Sequence, residues 1–426
     1  MGLALILYSI FIFDKNTPTP SFYTLAPTSG AALIILFASK RTAVAKLLSN
    51  KMLAGIGLIS YSAYLWHQPL FAFAKIRSIN EPSQALMALL GCLTLGLAFI
   101  TWQYIEKPFR KKSRYTRNQI FNRATAVSLI AIGLGVLGYL SNGFSSRTTA
   151  TGDTFSKLDL EHRIRANRGL SETCEGEFTL SEDCRTSDQP EILVWGDSVA
   201  MHLVQGILAS NKNAKIIQMT KSFCGPTMNL SPMTNKYQEP WSDECLEFNN
   251  AVSHWVRGNS SLRYAVLSSS FSQYLASDSK LKNTNGVMEP DESILYEYFS
   301  ATLDFLNSQG IRPIVFSPLP GNRENTGACL VKASIFEKGL DSCDFSIQTH
   351  KEVNKKVVQF LNRIDQRHRV IWIDKFLCED SSCRASIDNT FIYRDGGHLS
   401  HEGSALVGVK MDFNKIISSR EHTASN

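Results

Sequence analysis

The sequence predicts a multidomain membrane protein in which an α-helical transmembrane bundle of about five helices precedes a three-layer α/β domain with a five-stranded parallel sheet. Three observations lead to this prediction. Long apolar runs fill residues 1–142, strand-like and helix-like segments alternate through residues 191–420, and the soluble part carries an even number of cysteines. A chain of 426 residues has room for two or three domains of ordinary size.

Five apolar stretches are candidate membrane helices, because a helix that crosses a bilayer needs about 20 residues. They lie at residues 1–13, 24–39, 52–74, 84–103 and 124–140. Basic residues concentrate in the loop between the second and third stretches and in the loop between the fourth and fifth. Such loops face the cytoplasm. The sequence therefore predicts a multi-pass protein of a bacterial inner membrane, with everything after Ser141 in the periplasm.

The cysteines agree with an oxidising compartment. Of nine cysteines, only Cys92 lies in a predicted span, and the other eight fall in sequential couples: Cys174 and Cys184, Cys224 and Cys245, Cys329 and Cys343, Cys378 and Cys383. Eight cysteines allow many pairings, so the neighbour scheme is only the simplest choice. Reduced, buried thiols and metal binding are the alternatives. A metal is disfavoured because the chain has no Cys-x-x-Cys or clustered Cys/His spacing.

The soluble part alternates strand and helix patterns. Five short apolar runs are the predicted strands: Ile192–Trp195, Lys215–Met219, Tyr264–Ser268, Pro313–Phe316 and Val370–Ile373. Helices are predicted at 199–210, 246–257, 291–309, 348–367 and 401–418. This alternation indicates a parallel sheet covered on both faces, whose ligands bind beyond the carboxyl ends of the strands. Ser198 follows the end of the first strand.

Two short motifs carry the chemistry. Ser198 stands at a strand-to-helix bend in Trp195-Gly-Asp-Ser198, and Asp395 and His398 stand in Asp395-Gly-Gly-His398. A serine nucleophile, a histidine general base and an acid that fixes the tautomer of the histidine are what acyl transfer through a serine requires. Ser198 would attack, its backbone N–H would point toward the developing oxyanion, and Asp395 would orient His398.

Each residue also has a simpler interpretation. Ser198 could be a helix N-cap, which serine favours. Asp395-Gly-Gly resembles a turn, and His401 is a competing base. Asp197 is expected to brace the serine turn rather than to catalyse. Both motifs together, in the order serine, acid, histidine within the five-strand pattern, favour the catalytic interpretation.

With these motifs the soluble part resembles the SGNH/GDSL hydrolase superfamily, whose first motif carries the nucleophile and whose last is Asp-x-x-His. The whole chain resembles the fused type in which a family 3 membrane acyltransferase (acyltransferase-3) precedes a periplasmic SGNH domain. The membrane signatures are Ile59-Ser-Tyr-Ser-Ala-Tyr-Leu-Trp-His-Gln-Pro69 and Trp102-Gln-Tyr-Ile-Glu-Lys-Pro-Phe-Arg110. The cysteine couples around Lys221-Ser-Phe-Cys-Gly-Pro226 and Phe376-Leu-Cys378 are also similar to this fused family.

The resemblance implies a division of the chain. Residues 1–110 would be the C-terminal part of an acyltransferase-3 domain and 111–123 a basic cytoplasmic loop. A linking transmembrane helix at 124–140 and a periplasmic linker and cap at 141–190 would follow, then the SGNH domain at 191–420.

Two departures from the family pattern stand out. The membrane domain of the family usually has more helices and a presumed catalytic histidine near its start, whereas residues 1–50 contain no histidine. We therefore expect a chain that lacks the N-terminal membrane helices, or a separate chain that supplies them. The superfamily's asparagine oxyanion donor is also missing or replaced, since the chain reads Val266-Leu-Ser-Ser-Ser-Phe-Ser272 after the third strand. Gly225 is the best candidate for the glycine donor, and a tight turn before Pro226 is its alternative interpretation.

The resemblance implies O-acetylation of a cell-surface polysaccharide such as lipopolysaccharide O-antigen, with a polysaccharide or lipid-linked glycan as acceptor. No tightly bound cofactor is expected, and acetyl-CoA or another acyl donor would be a substrate. A membrane-tethered esterase that deacetylates glycans and a non-catalytic glycan-binding remnant are the alternatives. The net charge of +6 is not a nucleic-acid footprint, since much of the excess is clustered in loops that flank the membrane spans. His67 and Glu106, in the membrane signatures, are not expected to catalyse.

Overall fold

The computed structural model describes residues 1–14, 17–39, 41–79, 82–110, 115–141, 143–144 and 157–419. The chain divides into two compact units, residues 1–141 and residues 142–426. Parts of four predicted regions lie outside the described residues: 15–16, 40 and 80–81 of the first region, 111–114 of the basic loop, 142 and 145–156 of the linker, and residue 420 at the end of the last domain.

The first unit is helical. Its helices are α1 (Gly2–Ile12), α2 (Leu25–Phe37), α3 (Ala43–Leu48), α4 (Lys51–Arg77), α5 (Gln84–Thr101), α6 (Lys107–Arg110) and α7 (Arg117–Leu140). A π-helical turn, Trp102–Glu106, joins α5 to α6. The side chains of Trp66 and Thr101 connect α4 to α5 by an N–H···O bond of 2.9 Å. Each predicted membrane stretch therefore corresponds to a helix.

Only part of the predicted bundle has the length and composition of membrane spans. Within the described residues, two helical segments are long and apolar enough to cross a bilayer, Gln84–Arg110 and Arg117–Leu140. With 11 and 13 residues, α1 and α2 are shorter than the roughly 20 residues that a span needs. The 27-residue α4 is long enough, but its signature motif is rich in hydroxyl and other polar side chains. A bundle of about five spans is thus not confirmed.

The second unit contains the α/β fold. Its strands are β1 (Ile192–Gly196), β2 (Ile216–Thr220), β3 (Ser231–Met233), β4 (Tyr264–Ser268), β5 (Lys280–Asn283), β6 (Gly286–Met288), β7 (Arg312–Phe316), β8 (Phe345–Ser346), β9 (Val370–Ile371), β10 (Cys378–Glu379), β11 (Ser382–Cys383), β12 (Ser386–Ile387) and β13 (Thr390–Phe391). The central sheet has the order β2-β1-β4-β7-β9, and all its pairs are parallel. The predicted five-stranded parallel sheet is confirmed. Its last strand is shorter than predicted because the N–H of Ile373 donates to Ser317 Oγ (2.9 Å).

The helices of this unit cover the sheet. They are α8 (Lys157–Arg163), α9 (Ser198–Met201), α10 (Val204–Ser210), α11 (Glu239–Arg257), α12 (Ser272–Leu275), α13 (Glu292–Ser308), α14 (Thr326–Ile335), α15 (Ile347–Val353), α16 (Lys355–Asp365), α17 (Asp374–Leu377), α18 (His401–Lys410) and α19 (Phe413–Ser418). Three of the five predicted helices are each divided into two. The helix predicted from residue 246 begins earlier, at Glu239, with a proline in its first turn.

One face of the sheet packs on α11, α13 and α16 through a continuous apolar core that includes Trp195, Phe299 and Phe360. The other face carries α10 and α18, which approach each other at two glycines. A Cβ atom on Gly408 would lie 2.2 Å from the carbonyl oxygen of Gly206. The close approach therefore requires glycine. It draws together the segment after Ser198 and the segment after His398.

Four disulfides stabilise this unit, and they join the sequential couples: Cys174–Cys184, Cys224–Cys245, Cys329–Cys343 and Cys378–Cys383. The neighbour pairing is confirmed, and Cys92 is the free cysteine. The segment that holds Cys174 and Cys184 bridges to β2 at Glu175 and Arg185. This part of the predicted linker and cap is thus attached to the edge of the central sheet.

Candidate active site

The turn that carries Ser198 depends on the identity of the residues beside it. The strand β1 ends at Gly196, which has a φ of +154°. A Cβ atom at this position would lie 2.0 Å from the carbonyl oxygen of Ser268, so a larger residue is excluded. Asp197 caps the next helix, and Ser198 is the first residue of α9. After β1 the chain forms β2, which pairs with one edge of β1, and later β4, which pairs with the other edge. This reversal of strand order is where open α/β sheets bind ligands.

Asp197 braces this turn. It is only 1% exposed, and its carboxylate accepts four hydrogen bonds. Oδ1 accepts from the N–H of Val199 (2.8 Å). Oδ2 accepts from Ser269 Oγ (2.6 Å), from the N–H of Ser270 (3.1 Å) and from Gln273 Nε2 (3.0 Å). A buried carboxylate needs such partners. They tie the Ser198 turn to the end of β4.

The three residues singled out from the sequence meet in one hydrogen-bonded chain. Ser198 Oγ lies 2.8 Å from His398 Nε2. His398 Nδ1 lies 2.9 Å from Asp395 Oδ1 and 3.0 Å from Oδ2. Because a carboxylate only accepts, Nδ1 carries the proton, and Nε2 is left to accept from the Ser198 hydroxyl. The arrangement suits proton transfer from Ser198 to His398.

The loop around Asp395 holds its carboxylate in place. Oδ1 accepts the N–H groups of Gly397 (2.9 Å) and His398 (3.0 Å). The guanidinium of Arg394 lies 2.9 Å from Oδ2. Burial raises the pKa of the Asp395 carboxyl, but the hydrogen bond and charge of His398, the Gly397 N–H and Arg394 outweigh it and hold that pKa well below its ordinary value. Asp395 therefore stays ionised beside His398.

His202 is a residue that the sequence motifs do not single out. Its ring is fully buried, and its Nδ1 accepts the N–H of Leu399 (3.2 Å). In the described residues its Nε2 is buried without a hydrogen-bond partner. Asn167 donates to the carbonyls of both His202 (3.4 Å) and Ser400 (3.3 Å). These bonds attach the helix of the nucleophile to the loop of the base. The sequence signal for His202 was its spacing from Ser198, because a residue four positions later lies on the same helix face.

The two candidate oxyanion donors, the backbone N–H groups of Ser198 and Gly225, differ in whether they already bond another group. Within the described part of the chain, the backbone N–H of Ser198 has no acceptor, so it is free to meet an oxyanion. The N–H of Gly225, in contrast, donates to the buried Tyr274 hydroxyl (3.0 Å). In this arrangement Gly225 does not offer its N–H to the site. The serines that follow β4, where the asparagine donor was expected, also bond elsewhere, since Ser269 Oγ and the N–H of Ser270 donate to Asp197.

The other residues that the sequence raised as possible catalytic groups make hydrogen bonds outside the Ser198–His398–Asp395 chain. His401 Nε2 lies 3.1 Å from the carbonyl oxygen of Ala166. In the first unit His67 Nδ1 lies 2.6 Å from the Tyr64 carbonyl, and Glu106 is bonded to Ser62 and Arg110. Among the described residues, no group of three or more His, Cys, Asp or Glu side chains is arranged to hold a metal ion.

The chain is similar to several known proteins. Residues 172–412, more than half of the chain, match the family described as "SGNH domain (fused to AT3 domains)". The chain is 35% identical over 115 residues to the O-acetyltransferase OatA of Staphylococcus aureus strain NCTC 8325, a match that covers 26% of this chain and 19% of that protein. It is 27% identical over 144 residues to a Komagataeibacter xylinus protein provisionally named membrane-bound transacylase BcsY, over 33% of this chain and 36% of that one.

The chain thus aligns with about a third or less of the length of these two relatives. Among solved structures, it is similar to the lipopolysaccharide acetyltransferase periplasmic domain of Salmonella ser. Paratyphi A. The identity is 22% and the TM-score 0.46, over 62% of this chain and 98% of that chain.

Proposed function

The chain belongs to the family of SGNH domains fused to AT3 domains, and from this premise we propose that it transfers an acetyl group to a hydroxyl of a cell-surface polysaccharide, such as lipopolysaccharide O-antigen. The observation that carries the proposal is the continuous chain from Ser198 Oγ through His398 to Asp395. The names of the relatives OatA and BcsY support acyl transfer as the reaction class.

In the first step the acetyl group moves to the enzyme. His398 Nε2 takes the proton of the Ser198 hydroxyl as Oγ attacks the carbonyl carbon of the acyl donor. The bond between that carbon and the leaving group then breaks, and His398 returns the proton to the leaving group. The products are acetyl-Ser198 and the free donor group. Acetyl-CoA or another acyl carrier is the donor that we propose.

In the second step a sugar hydroxyl replaces the donor. His398 Nε2 takes the hydroxyl proton, the sugar oxygen attacks the carbonyl carbon of acetyl-Ser198, and the Ser198 ester bond breaks. The proton then passes to Ser198 Oγ, which restores the free enzyme. Asp395 stays ionised and stabilises the His398 imidazolium in both steps. The Ser198 N–H is positioned to donate to the oxyanion of each tetrahedral intermediate.

We propose that the helical unit anchors the protein in the bacterial inner membrane as a multi-pass protein. The α/β unit would then lie in the periplasm, where disulfides form and persist. Two apolar helices and four disulfides support this location.

The experiment is to replace Ser198 by alanine in producing cells and to measure the O-acetyl content of the surface polysaccharide by proton NMR. We expect S198A to reduce the acetyl signal to that of cells without the protein. A matched variant, Ser308→Ala, should keep the wild-type signal, because Ser308 is exposed and its hydroxyl bonds close neighbours in the chain, donating to the carbonyl of Phe305 and accepting from Gln309 Nε2. Unchanged acetylation in S198A cells would refute the proposed function.

A further inference from the structure

Three aromatic side chains form a cluster at the surface of the α/β unit. The rings of Phe223 and Tyr237 are stacked, with centroids 4.2 Å apart and planes 16° apart. Trp241 lies against both, at 5.7 Å from Phe223 and 4.8 Å from Tyr237. All three are half-buried, so each keeps part of its surface in contact with solvent. We call Phe223, Tyr237 and Trp241 the aromatic platform.

Burial in the core does not account for the aromatic platform. Of its three members, Trp241 packs against the apolar core, and Phe223 and Tyr237 lie outside it. Phe223 also has a φ of 67°, in the left-handed region that side chains rarely adopt. Such a backbone costs on the order of 1–3 kcal/mol and occurs most often at functional sites. Two of the three rings thus lie outside the core, and one of these two residues has a strained backbone.

The aromatic platform is held rigidly. The disulfide Cys224–Cys245 joins the residue after Phe223 to the residue one helical turn after Trp241. Tyr237 is fixed by a turn in which its carbonyl accepts the N–H of Thr234 (2.9 Å) and its own N–H donates to Thr234 Oγ1 (3.2 Å). Rings fixed in this way lose little conformational entropy when a ligand binds.

The backbone around Phe223 is bonded to residues that hold the Ser198 turn. The amide of Gln273 donates both to Asp197 Oδ2 (3.0 Å) and to the carbonyl oxygen of Phe223 (3.4 Å). The N–H of Lys221, two residues before Phe223, donates to the carbonyl of Gly196 (3.1 Å). The segment that carries Phe223 is thus hydrogen-bonded to the segment that forms the Ser198 turn, directly and through Gln273.

The chemistry of the aromatic platform fits a sugar ring. The C–H face of a pyranose packs on aromatic faces, and its hydroxyl groups need hydrogen-bond partners at the ring edges. In the described structure neither the Tyr237 hydroxyl nor the Trp241 indole N–H has a protein partner, and both residues reach the surface. The Lys236 ammonium lies 5.1 Å from the centroid of the Tyr237 ring and is a further donor.

We propose that Phe223, Tyr237 and Trp241 form an acceptor subsite that stacks on a pyranose ring of the polysaccharide and presents a sugar hydroxyl to acetyl-Ser198. The subsite rests on the proposed function, because it binds the acceptor of the same acetyl group.

The test uses the full-length protein in detergent, 4-nitrophenyl acetate as acetyl donor, and surface polysaccharide of the producing strain, de-O-acetylated with mild base, as acceptor. Tyr237→Ala should raise the KM for the polysaccharide about tenfold. It should leave hydrolysis of 4-nitrophenyl acetate within about twofold of wild type, since the small ester does not reach the aromatic platform. Tyr237→Phe, which keeps the ring, should retain most of the acceptor affinity.

Tyr264→Ala is the matched control, because Tyr264 is a half-buried tyrosine at the amino end of β4, opposite the end that adjoins Ser198. This control should leave the KM unchanged. The subsite is overturned if Tyr237→Ala has the KM of the wild type, or if it loses hydrolysis of the small ester in parallel with transfer. Acetyl transfer that persists in S198A would instead refute the proposed function, so the two failures can be told apart.

Discussion

The buried ring of His202 lies edge-on to the ring of His398, with centroids 6.0 Å apart and planes 86° apart. Since Nδ1 of His202 accepts the N–H of Leu399, this contact fixes the residue that follows the proposed base. Burial lowers the pKa of His202 well below its ordinary value of 6.5, and the charges of His398 and Arg394 lower it further, against the opposing effect of Asp395. His202 is therefore neutral in the folded protein and positions His398.

A neutral buried histidine makes stability depend on pH. Below about pH 6.5 the unfolded chain binds a proton at His202 that the folded protein does not, so the free energy of unfolding falls as the pH decreases from about 7.5 to about 5.5. His202→Asn, whose side-chain oxygen can accept the Leu399 N–H, should reduce this slope. Urea unfolding of both proteins at several pH values measures it, and parallel pH profiles would contradict the neutral assignment.

Removing the acceptor of the Leu399 N–H altogether should lower stability and kcat more than His202→Asn does. His202→Leu leaves the buried N–H of Leu399 unpaired, which costs about 1–3 kcal/mol. We expect this variant to be less stable than His202→Asn and to have a lower kcat, because the loop that carries His398 loses one of the bonds that attach it to the helix of the nucleophile. Equal stability and equal kcat of the two variants would show that the hydrogen bond to Leu399 is unimportant.

Asp395→Asn tests the tautomer of His398. An amide at this position can donate to Nδ1, which would place the ring proton on Nε2 and remove the acceptor for the Ser198 hydroxyl. We expect kcat for hydrolysis of 4-nitrophenyl acetate to fall by a factor on the order of 10⁴, as for the corresponding change in other serine triads. Asp388→Asn, which alters an exposed carboxylate paired with Lys410, is the control and should keep wild-type kcat. A loss of less than about tenfold in Asp395→Asn would remove Asp395 from the triad.

The contact between α10 and α18 predicts a steric effect. In Gly408→Ala the new methyl group would lie 2.2–2.4 Å from backbone atoms of Gly206, so the helices must separate. We expect a loss of about 1–3 kcal/mol in the free energy of unfolding together with a lower kcat. Gly258→Ala adds a methyl group whose nearest neighbour, the carbonyl of Trp255, is 3.7 Å away, and it should be neutral. Equal melting temperatures of the two variants would contradict the close packing.

The disulfides predict a labelling count. Of the nine cysteines, eight are paired and Cys92 is free, so a membrane-permeant maleimide should add one label to the unreduced protein. After reduction and denaturation it should add nine. Intact mass spectrometry counts the labels. More than one label on unreduced protein from the cell envelope would show that a disulfide is open.

The sequence predicted correctly the features that depend on residues close together in the chain. The strands of the central sheet are apolar runs such as Ile192–Trp195, and Ser198, Asp395 and His398 stand in short motifs whose spacing reflects their geometry. The role of Gly225 was harder to predict, because the hydroxyl that accepts its N–H belongs to Tyr274, 49 residues away in the chain. The sequence also did not indicate that three of the predicted helices are each divided into two. For His202 the sequence offered only its spacing from Ser198, because its environment exists only after the nucleophile turn and the Asp395 loop have packed together.

Trapping acetyl-Ser198 tests the central claim most directly. The full-length protein is mixed with 4-nitrophenyl acetate, quenched in acid, digested and analysed by mass spectrometry, with and without a chase of de-O-acetylated polysaccharide. We predict an acetyl group on the peptide that contains Ser198, its transfer to the polysaccharide during the chase, and neither event in Ser198→Ala. Acetylation of the polysaccharide with no acetyl group ever detected on Ser198 would contradict the account.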